Sequence, residues 1–131
     1  NGLPLNGGGL IKKIMSNKLS IFSNQITDGD SIKFFVSPRE GVGISDTQNS
    51  AYFEIFGSLG GGTLSLQKKC IDGAYREEVE GTQAINSGFP AAGKVLVKAL
   101  NYKDQDNWKF VLAGATNASL TVTGINMQTG I

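Results

Sequence analysis

The stretch GGGTLSLQKKCIDG, residues 60–73, decides the fold. After three glycines, Leu64 and Leu66 alternate with polar residues, and an Ile-Asp-Gly turn signal follows. Alternation with a period of two places apolar side chains on one face of a strand. A phosphate-binding loop would instead end in Gly-Lys-Ser or Gly-Lys-Thr and continue into a helix. The stretch therefore predicts a strand, with the glycines 60–62 supplying positive backbone angles for a hairpin turn.

Similar alternating runs lie on both sides of this strand, separated by Gly, Pro, Asn and Asp. No window of eleven or more residues keeps a helical apolar stripe free of Gly and Pro. The sequence therefore predicts an all-β fold of about eight strands, an antiparallel two-sheet β-sandwich with jelly-roll-like connectivity. The seven other runs are NKLSIFSNQI (17–26), SIKFFVS (31–37), AYFEIFG (51–57), AYREEVEG (74–81), GKVLVKAL (93–100), WKFVLAG (108–114) and ASLTVTGINM (118–127).

The run AYFEIFG assigns its side chains to two faces. Phe53 and Ile55 form a core face, whereas Tyr52, Glu54 and Phe56 form an aromatic-bearing outer face. The same alternation predicts side-chain directions in the other runs. Leu19, Ile21, Leu120 and Val122 are expected to point inward, with Phe22 on the opposite face, and Gly124 is expected to form a bulge. Two further sets are each expected to share one face of a strand: Ile32, Phe34 and Val36; and Tyr75, Glu77 and Val79.

The domain organisation follows from length and glycine content. A chain of 131 residues fits one domain, and we expect a β-sandwich over residues 17–131. Residues 1–16 are predicted to form an extended N-terminal arm that gains order by lying on a neighbour; the alternative is a disordered tail or an extra edge strand. The apolar arm residues that would bind a partner are Leu3, Leu5, Leu10, Ile11, Ile14 and Met15.

Charge and residue types narrow the function. Twelve cations and eleven anions are scattered along the chain, which predicts neither a nucleic-acid nor a membrane partner. No run reaches the roughly 18 apolar residues of a membrane span. The sequence has no histidine and one cysteine, Cys70, which argues against catalytic triads and zinc sites. We therefore expect a protein that is not an enzyme and needs no cofactor.

Acidic residues cluster in three places, and two interpretations remain open. Flanked by Gly or Asn, these carboxylates are typical of solvated turns. Carboxylates from adjacent loops could instead hold a calcium ion, although the Asp-x-Asp spacing alone is weak support for one. The clusters are Asp28 and Asp30; Glu77, Glu78 and Glu80; and Asp104 and Asp106.

Four aromatic residues suggest an alternative function. Tyr52, Tyr75, Tyr102 and Trp108 could form a platform on which sugar rings stack. A carbohydrate-binding β-sandwich module would use Tyr52, Tyr102 or Trp108 together with the loop 39–50. Ordinary packing of these rings in the core or at its rim is the competing interpretation.

The order of motifs from Ala51 to Met127 resembles a known group of proteins. The segments are AYFEIFGSLGGGTLSLQ, DGAYREEVEGTQAI, KVLVKAL and WKFVLAGATNASLTVTGI. They are similar to the small β-sandwich virion proteins of tailed bacteriophages, which decorate capsids or build tail and fibre modules. The similarity covers a little over half of the chain and rests on turn and alternation patterns.

This resemblance implies a structural role and a location in the virion. It implies a capsid decoration or cement subunit that binds the major capsid protein or other virion proteins, with homo-oligomeric contacts that are often threefold. The contacts would come from the arm and from exposed strand edges. The resemblance transfers no functional residue, because this class has no shared active site.

Overall fold

The computed structural model describes residues 18–36, 51–100 and 107–130. Within them the chain forms ten strands and one helix. In chain order these are β1 (Lys18–Gln25), β2 (Gly29–Asp30), β3 (Phe34–Val36), β4 (Ala51–Ser58), β5 (Thr63–Lys69), β6 (Tyr75–Glu77), α1 (Val79–Ser87), β7 (Leu96–Leu100), β8 (Trp108–Ala113), β9 (Ser119–Ile125) and β10 (Met127–Thr129).

The strands form two antiparallel sheets that pack face to face, which confirms the predicted β-sandwich. One sheet has the order β1-β9-β4-β7, and the six-stranded sheet has the order β10-β3-β8-β5-β6 with β2 also paired to β8. The pairing is nested: β1 pairs with β9, β3 with β8, β4 with β7 and β5 with β6. This nesting is jelly-roll connectivity, as the sequence predicted.

The two strands beyond the predicted eight are short. Strand β2 lies where the sequence indicated a turn, and its two residues pair with Leu112 and Val111. Strand β10 follows β9 after Asn126, whose φ of 63° redirects the chain from one sheet to the other. Asn is among the few residues that adopt this left-handed conformation readily.

The core between the sheets is built on three phenylalanines. Phe34 and Phe110 come from the six-stranded sheet and Phe53 from the four-stranded sheet, and all three are fully buried. The ring centroids of Phe53 and Phe110 are 4.9 Å apart in an edge-to-face arrangement, a favourable geometry for aromatic pairs. The predicted inward positions Ile21, Phe53, Ile55, Leu64, Leu66, Leu120 and Val122 are all buried, whereas Leu19 is half-buried at the edge of the core.

The glycines 60–62 form a turn, but not the predicted hairpin. Gly60 and Gly61 have φ values of 60° and 78°, so the expectation of positive backbone angles is confirmed. Strands β4 and β5 belong to different sheets, and the turn therefore carries the chain across the sandwich. It packs on the loop after β8, where the Thr116 N–H donates to the Gly60 carbonyl at 2.8 Å.

The prediction that Val79 continues a strand is wrong, because helix α1 begins at that residue. The helix is nine residues long, too short to show an apolar stripe over eleven residues. The helix lies beside the first half of β5, which has no pairing with β6. There the Thr82 hydroxyl accepts from the Leu66 N–H at 3.0 Å, and the Asn86 side chain accepts from the Leu64 N–H at 3.0 Å. The helix thus replaces a neighbouring strand.

The predicted bulge at Gly124 is also wrong. Strand β9 runs in unbroken register with β4 through Ile125, and the register shifts lie in its pairing with β1. An extra residue at Ile21, between the paired Ser20 and Phe22, lets both Ile21 and Phe22 be buried. Ile32 does not share the buried face of Phe34, because it precedes β3 and is 42% exposed.

The predicted arm, residues 1–16, lies outside the described residues. The segment 37–50 lies outside them too, and it joins β3 in one sheet to β4 in the other. Within the described ranges, no helix is long and apolar enough to cross a membrane.

Candidate docking surface

The sheet edges are protected against pairing with further strands. Among the described residues the edge strands are β1, β7, β6 and β10. Strand β1 carries two register shifts, and β6 and β10 have three residues each. In β7, Lys98 pairs with the buried Phe53 and lies on the inner side of the sheet. Bulges, short edges and inward charges all disfavour strand addition, so contacts with other proteins are better made by the faces.

The outer face of the four-stranded sheet is apolar at one end. Phe56 of β4 is 42% exposed, and Val97 of β7 is 57% exposed. Val97 pairs with Glu54, which lies two residues before Phe56 on the same face of β4. Val95, just before β7, is 52% exposed. We call Phe56, Val95 and Val97 the apolar patch.

A groove of about 570 Å³ lies beside the apolar patch. Its walls are the end of β4, Ser119 at the start of β9, and the loop before β7. Lys94 is the only charged residue among the described residues that line it. Gly57 forms part of the wall with a φ of 108°, and a Cβ atom there would lie 1.8 Å from the Ser119 carbonyl oxygen. The groove therefore depends on glycine at this position.

Glu54 adds a negative charge next to the apolar patch. It is half-buried on the outer face, opposite Thr123 of β9 and Val97 of β7. Among the described residues, no cation forms an ion pair with its carboxylate. The patch thus combines exposed apolar side chains with one acidic group that a cationic partner could meet.

The outer face of the six-stranded sheet is different, because two of its lysines have partners within the domain. Lys109 pairs with Asp30 at 2.8 Å. The Nζ atoms of Lys33 and Lys109 also lie 5.4 and 5.1 Å from the centroid of the Tyr75 ring, within the range of cation–π attraction.

Two of the acidic residues that the sequence singled out, Asp28 and Glu78, accept hydrogen bonds from backbone N–H groups. The Asp28 carboxylate accepts from the backbone N–H groups of Gly114 and Ala115 at 3.0 and 2.8 Å. The Glu78 carboxylate caps helix α1 by accepting from the Gly81 N–H. Asp104 and Asp106 lie outside the described residues. No three acidic or cysteine side chains in the described ranges are grouped so as to hold a metal ion.

The hairpin between β5 and β6 holds a tight ion pair. The Arg76 guanidinium donates to both oxygens of the Asp72 carboxylate, at 3.0 and 2.9 Å. This hydrogen bond, with help from the Ala74 N–H, lowers the pKa of Asp72 from 3.8 to about 2. Cys70 is half-buried in the same hairpin, with its Sγ 3.6 Å from the Lys68 carbonyl oxygen.

The aromatic residues considered for sugar binding do not form one platform. Trp108 is 3% exposed and belongs to the core between the sheets. Tyr52 is half-buried on the outer face of the four-stranded sheet, and Tyr75 lies in the other sheet. Tyr102 lies outside the described residues, as do the arm residues Leu3, Leu5, Leu10, Ile11, Ile14 and Met15.

Sequence reasoning placed Phe56 on an outer face but did not single out Val95 and Val97. The signal was present in GKVLVKAL, where valine and leucine occupy successive positions and break the alternation. A strand of that kind has apolar residues on both faces, and β7 presents Leu96 and Leu100 inward and Val97 outward.

Three comparisons with known proteins, against family models, curated proteins and solved structures, found no match.

Proposed function

We propose that the chain is a non-enzymatic structural protein of a bacteriophage virion, a decoration or cement subunit that binds coat protein on the capsid. It acts by packing its surface against neighbouring subunits. The observation that carries the proposal is the apolar patch: Phe56, Val95 and Val97 are 42%, 52% and 57% exposed, and Phe56 and Val95 line one groove. Contiguous exposed apolar side chains of this kind are typical of protein–protein contact sites.

Two further observations support this role. The jelly-roll sandwich is in keeping with the β-sandwich fold that the resemblance to small virion proteins of tailed bacteriophages implies. The carboxylates of Asp28, Asp72 and Glu78 are used in turns and a helix cap. Groups held in this way serve the scaffold, which suits a protein that works by docking.

The test uses purified particles of the phage that encodes the chain. We expect mass spectrometry to find the chain at a fixed ratio to the major coat protein. Electron cryo-microscopy is expected to place it on the outside of the capsid. Density on the tail would support a structural role in the virion but would contradict the location on the capsid. Absence of the chain from purified particles, although it is made during infection, would contradict the proposal.

Docking is tested with two matched variants. Phe56→Ser alters the outer face of the four-stranded sheet. Phe35→Ser alters the outer face of the six-stranded sheet, where Phe35 is half-buried between the inward-facing Phe34 and Val36. We expect Phe56→Ser to reduce incorporation into particles at least tenfold, while Phe35→Ser is incorporated like the wild type. Equal incorporation of both variants would show that the apolar patch is not the contact surface.

A further inference from the structure

We infer that the apolar patch and its groove bind residues 1–17 of a second copy of this chain. This inference rests on the proposed function in treating the outer face of the four-stranded sheet as a contact surface. It names the partner at that surface and concerns the purified chain, whereas the proposed function concerns the particle.

The first argument is chemical. The patch offers exposed apolar side chains beside Glu54, with which no cation of the described residues forms an ion pair, and Lys94 lines the groove at the other end of the patch. The segment 1–17 carries the matching groups, since Lys12 and Lys13 lie between apolar residues on both sides. The segment has no acidic residue, so nothing in it repels Glu54. Leu10, Ile11 and Ile14 can cover the patch while a lysine meets Glu54.

The second argument is where the segment joins the domain. The segment joins the domain at Lys18, the first residue of β1. Lys18 pairs with Ile125 of β9, and Ile125 pairs with Tyr52 of β4. Phe56 pairs with Thr121, four residues along β9 and therefore about 13 Å towards the other end of the sheet. The segment thus meets the sheet at the end remote from the groove.

Strand direction makes a second copy the better occupant. Strand β1 runs from the Ile125 end of β9 towards the Leu120 end, so a straight continuation before Lys18 leads away from the domain's own groove. To lie in that groove the segment would have to reverse at Lys18. Seventeen extended residues span up to about 56 Å, which is enough to cross to the groove of a neighbouring copy.

The third argument is that the sheet edges offer no alternative place for an extended segment. Bulges in β1, the inward Lys98 in β7 and the short β6 and β10 all oppose strand addition in the described domain. An extended apolar segment is then best accommodated by side-chain contacts on a face.

The experiment begins with the mass of the full purified chain by light scattering over a range of concentrations. We expect an oligomer. Phe56→Ser combined with Val97→Ser should weaken association at least tenfold, and so should Leu10→Ser combined with Ile11→Ser. The control Phe35→Ser should leave the mass unchanged. A monomeric wild type, or an oligomer that resists both double variants, would overturn the inference.

Charge reversal tests the placement of Glu54. Glu54→Lys should weaken association by up to about fivefold, the scale of an exposed ion pair. Adding Lys12→Glu and Lys13→Glu to the same chain should restore it. If the reversed pair fails to restore association, the proposed contact between the segment and Glu54 is wrong.

Cross-linking decides between the segment of a second copy and the chain's own. With Cys70→Ser as background, one chain carries Ile11→Cys and the other carries Val97→Cys. Val97 is exposed on the surface, so this substitution is tolerated by the fold. Mixing the two under oxidation should give a disulfide-linked heterodimer. A chain carrying both substitutions that closes an internal disulfide as a monomer would overturn the exchange.

These results are independent of the particle experiment. A purified chain that exchanges its segment but is absent from virions supports the inference and refutes the virion role. A chain that is found in virions but stays monomeric when purified, and whose double variants are still incorporated, supports the virion role and refutes the exchange of the segment.

Discussion

The two sheets share one core but present different outer faces. The six-stranded side has lysines with partners inside the domain, Lys109 with the Asp30 carboxylate and Lys33 with the Tyr75 ring. The four-stranded side has the exposed Phe56, Val95 and Val97 beside Glu54, for which the described residues offer no partner cation. Internal contacts hold two lysines of the first face, whereas Phe56, Val95 and Val97 of the second face are exposed to solvent. This difference is why we propose the four-stranded side as the docking surface.

The largest effect is expected from two phenylalanines on opposite faces of β4. Phe53→Ala removes a fully buried ring that packs on Phe34 and Phe110, and it should lower the free energy of unfolding by about 3–5 kcal/mol. Phe56→Ala, at 42% exposure, should cost less than about 1 kcal/mol. Urea denaturation at fixed protein concentration measures both. Similar losses of unfolding free energy in the two variants would mean that the outer face of β4 is needed for folding, and would contradict its assignment as a docking face.

The next effect concerns the turn that joins the two sheets. Gly60 and Gly61 both have positive φ, but a Cβ at Gly60 would lie 2.6 Å from the Thr116 carbonyl oxygen, while Gly61 has open space. Gly61→Ala should cost about 1–2 kcal/mol for its left-handed backbone. Gly60→Ala should cost a further 1–3 kcal/mol, roughly, for the forced contact. Thermal or urea unfolding gives the difference, and equal losses would show that the turn does not pack on the loop after β8.

A smaller effect is expected from the two aspartates on the six-stranded side. Asp28→Ala leaves the N–H groups of Gly114 and Ala115 without their acceptor, and it should cost about 1–2 kcal/mol because the site is exposed. Asp30→Ala removes one partly exposed ion pair with Lys109 and should cost less than about 1 kcal/mol. The reverse ranking in denaturation experiments would contradict a capping role for Asp28.

The smallest effect is the titration of Asp72. Its pKa of about 2 lies below the ordinary 3.8 because Arg76 hydrogen-bonds the charged form. A lowered folded-state pKa means that the stabilisation is present above about pH 4 and is lost as the pH falls towards 2. NMR titration of the side-chain carboxyl should show the pKa rising towards 3.8 in Arg76→Gln. An unchanged pKa in that variant would exclude the ion pair as its cause.

Helix α1 shows where local patterns stopped being informative. The stretch YREEVEG, residues 75–81, runs from β6 into the helix and places Tyr75, Glu77 and Val79 at alternate positions, and β6 does form over Tyr75–Glu77. The helix is favoured at Val79 because it places the Thr82 and Asn86 side chains one turn apart. These side chains accept hydrogen bonds from the backbone N–H groups of Leu66 and Leu64, which have no strand partner on that side of β5. That requirement arises only once β5 is in place, so alternation alone could not reveal it.

The candidate site was predicted less well than the fold. The outward position of Phe56 follows from alternation, but its neighbours Val95 and Val97 come from a strand more than thirty residues later in the chain. Register between β4 and β7 brings them together. Trp108 had the residue type of a binding platform, yet its strand places it inside the core.

Period-two alternation and glycine-rich turns were enough to specify an all-β sandwich and the inner faces of its regular strands, because burial of alternate side chains is a local property of an extended chain. Long-range pairing decided the rest: which strands share a sheet, where the bulges fall, why a helix interrupts the strands, and which apolar residues remain outside. Those outcomes depend on contacts between residues far apart in the chain, and a local pattern carries no record of them.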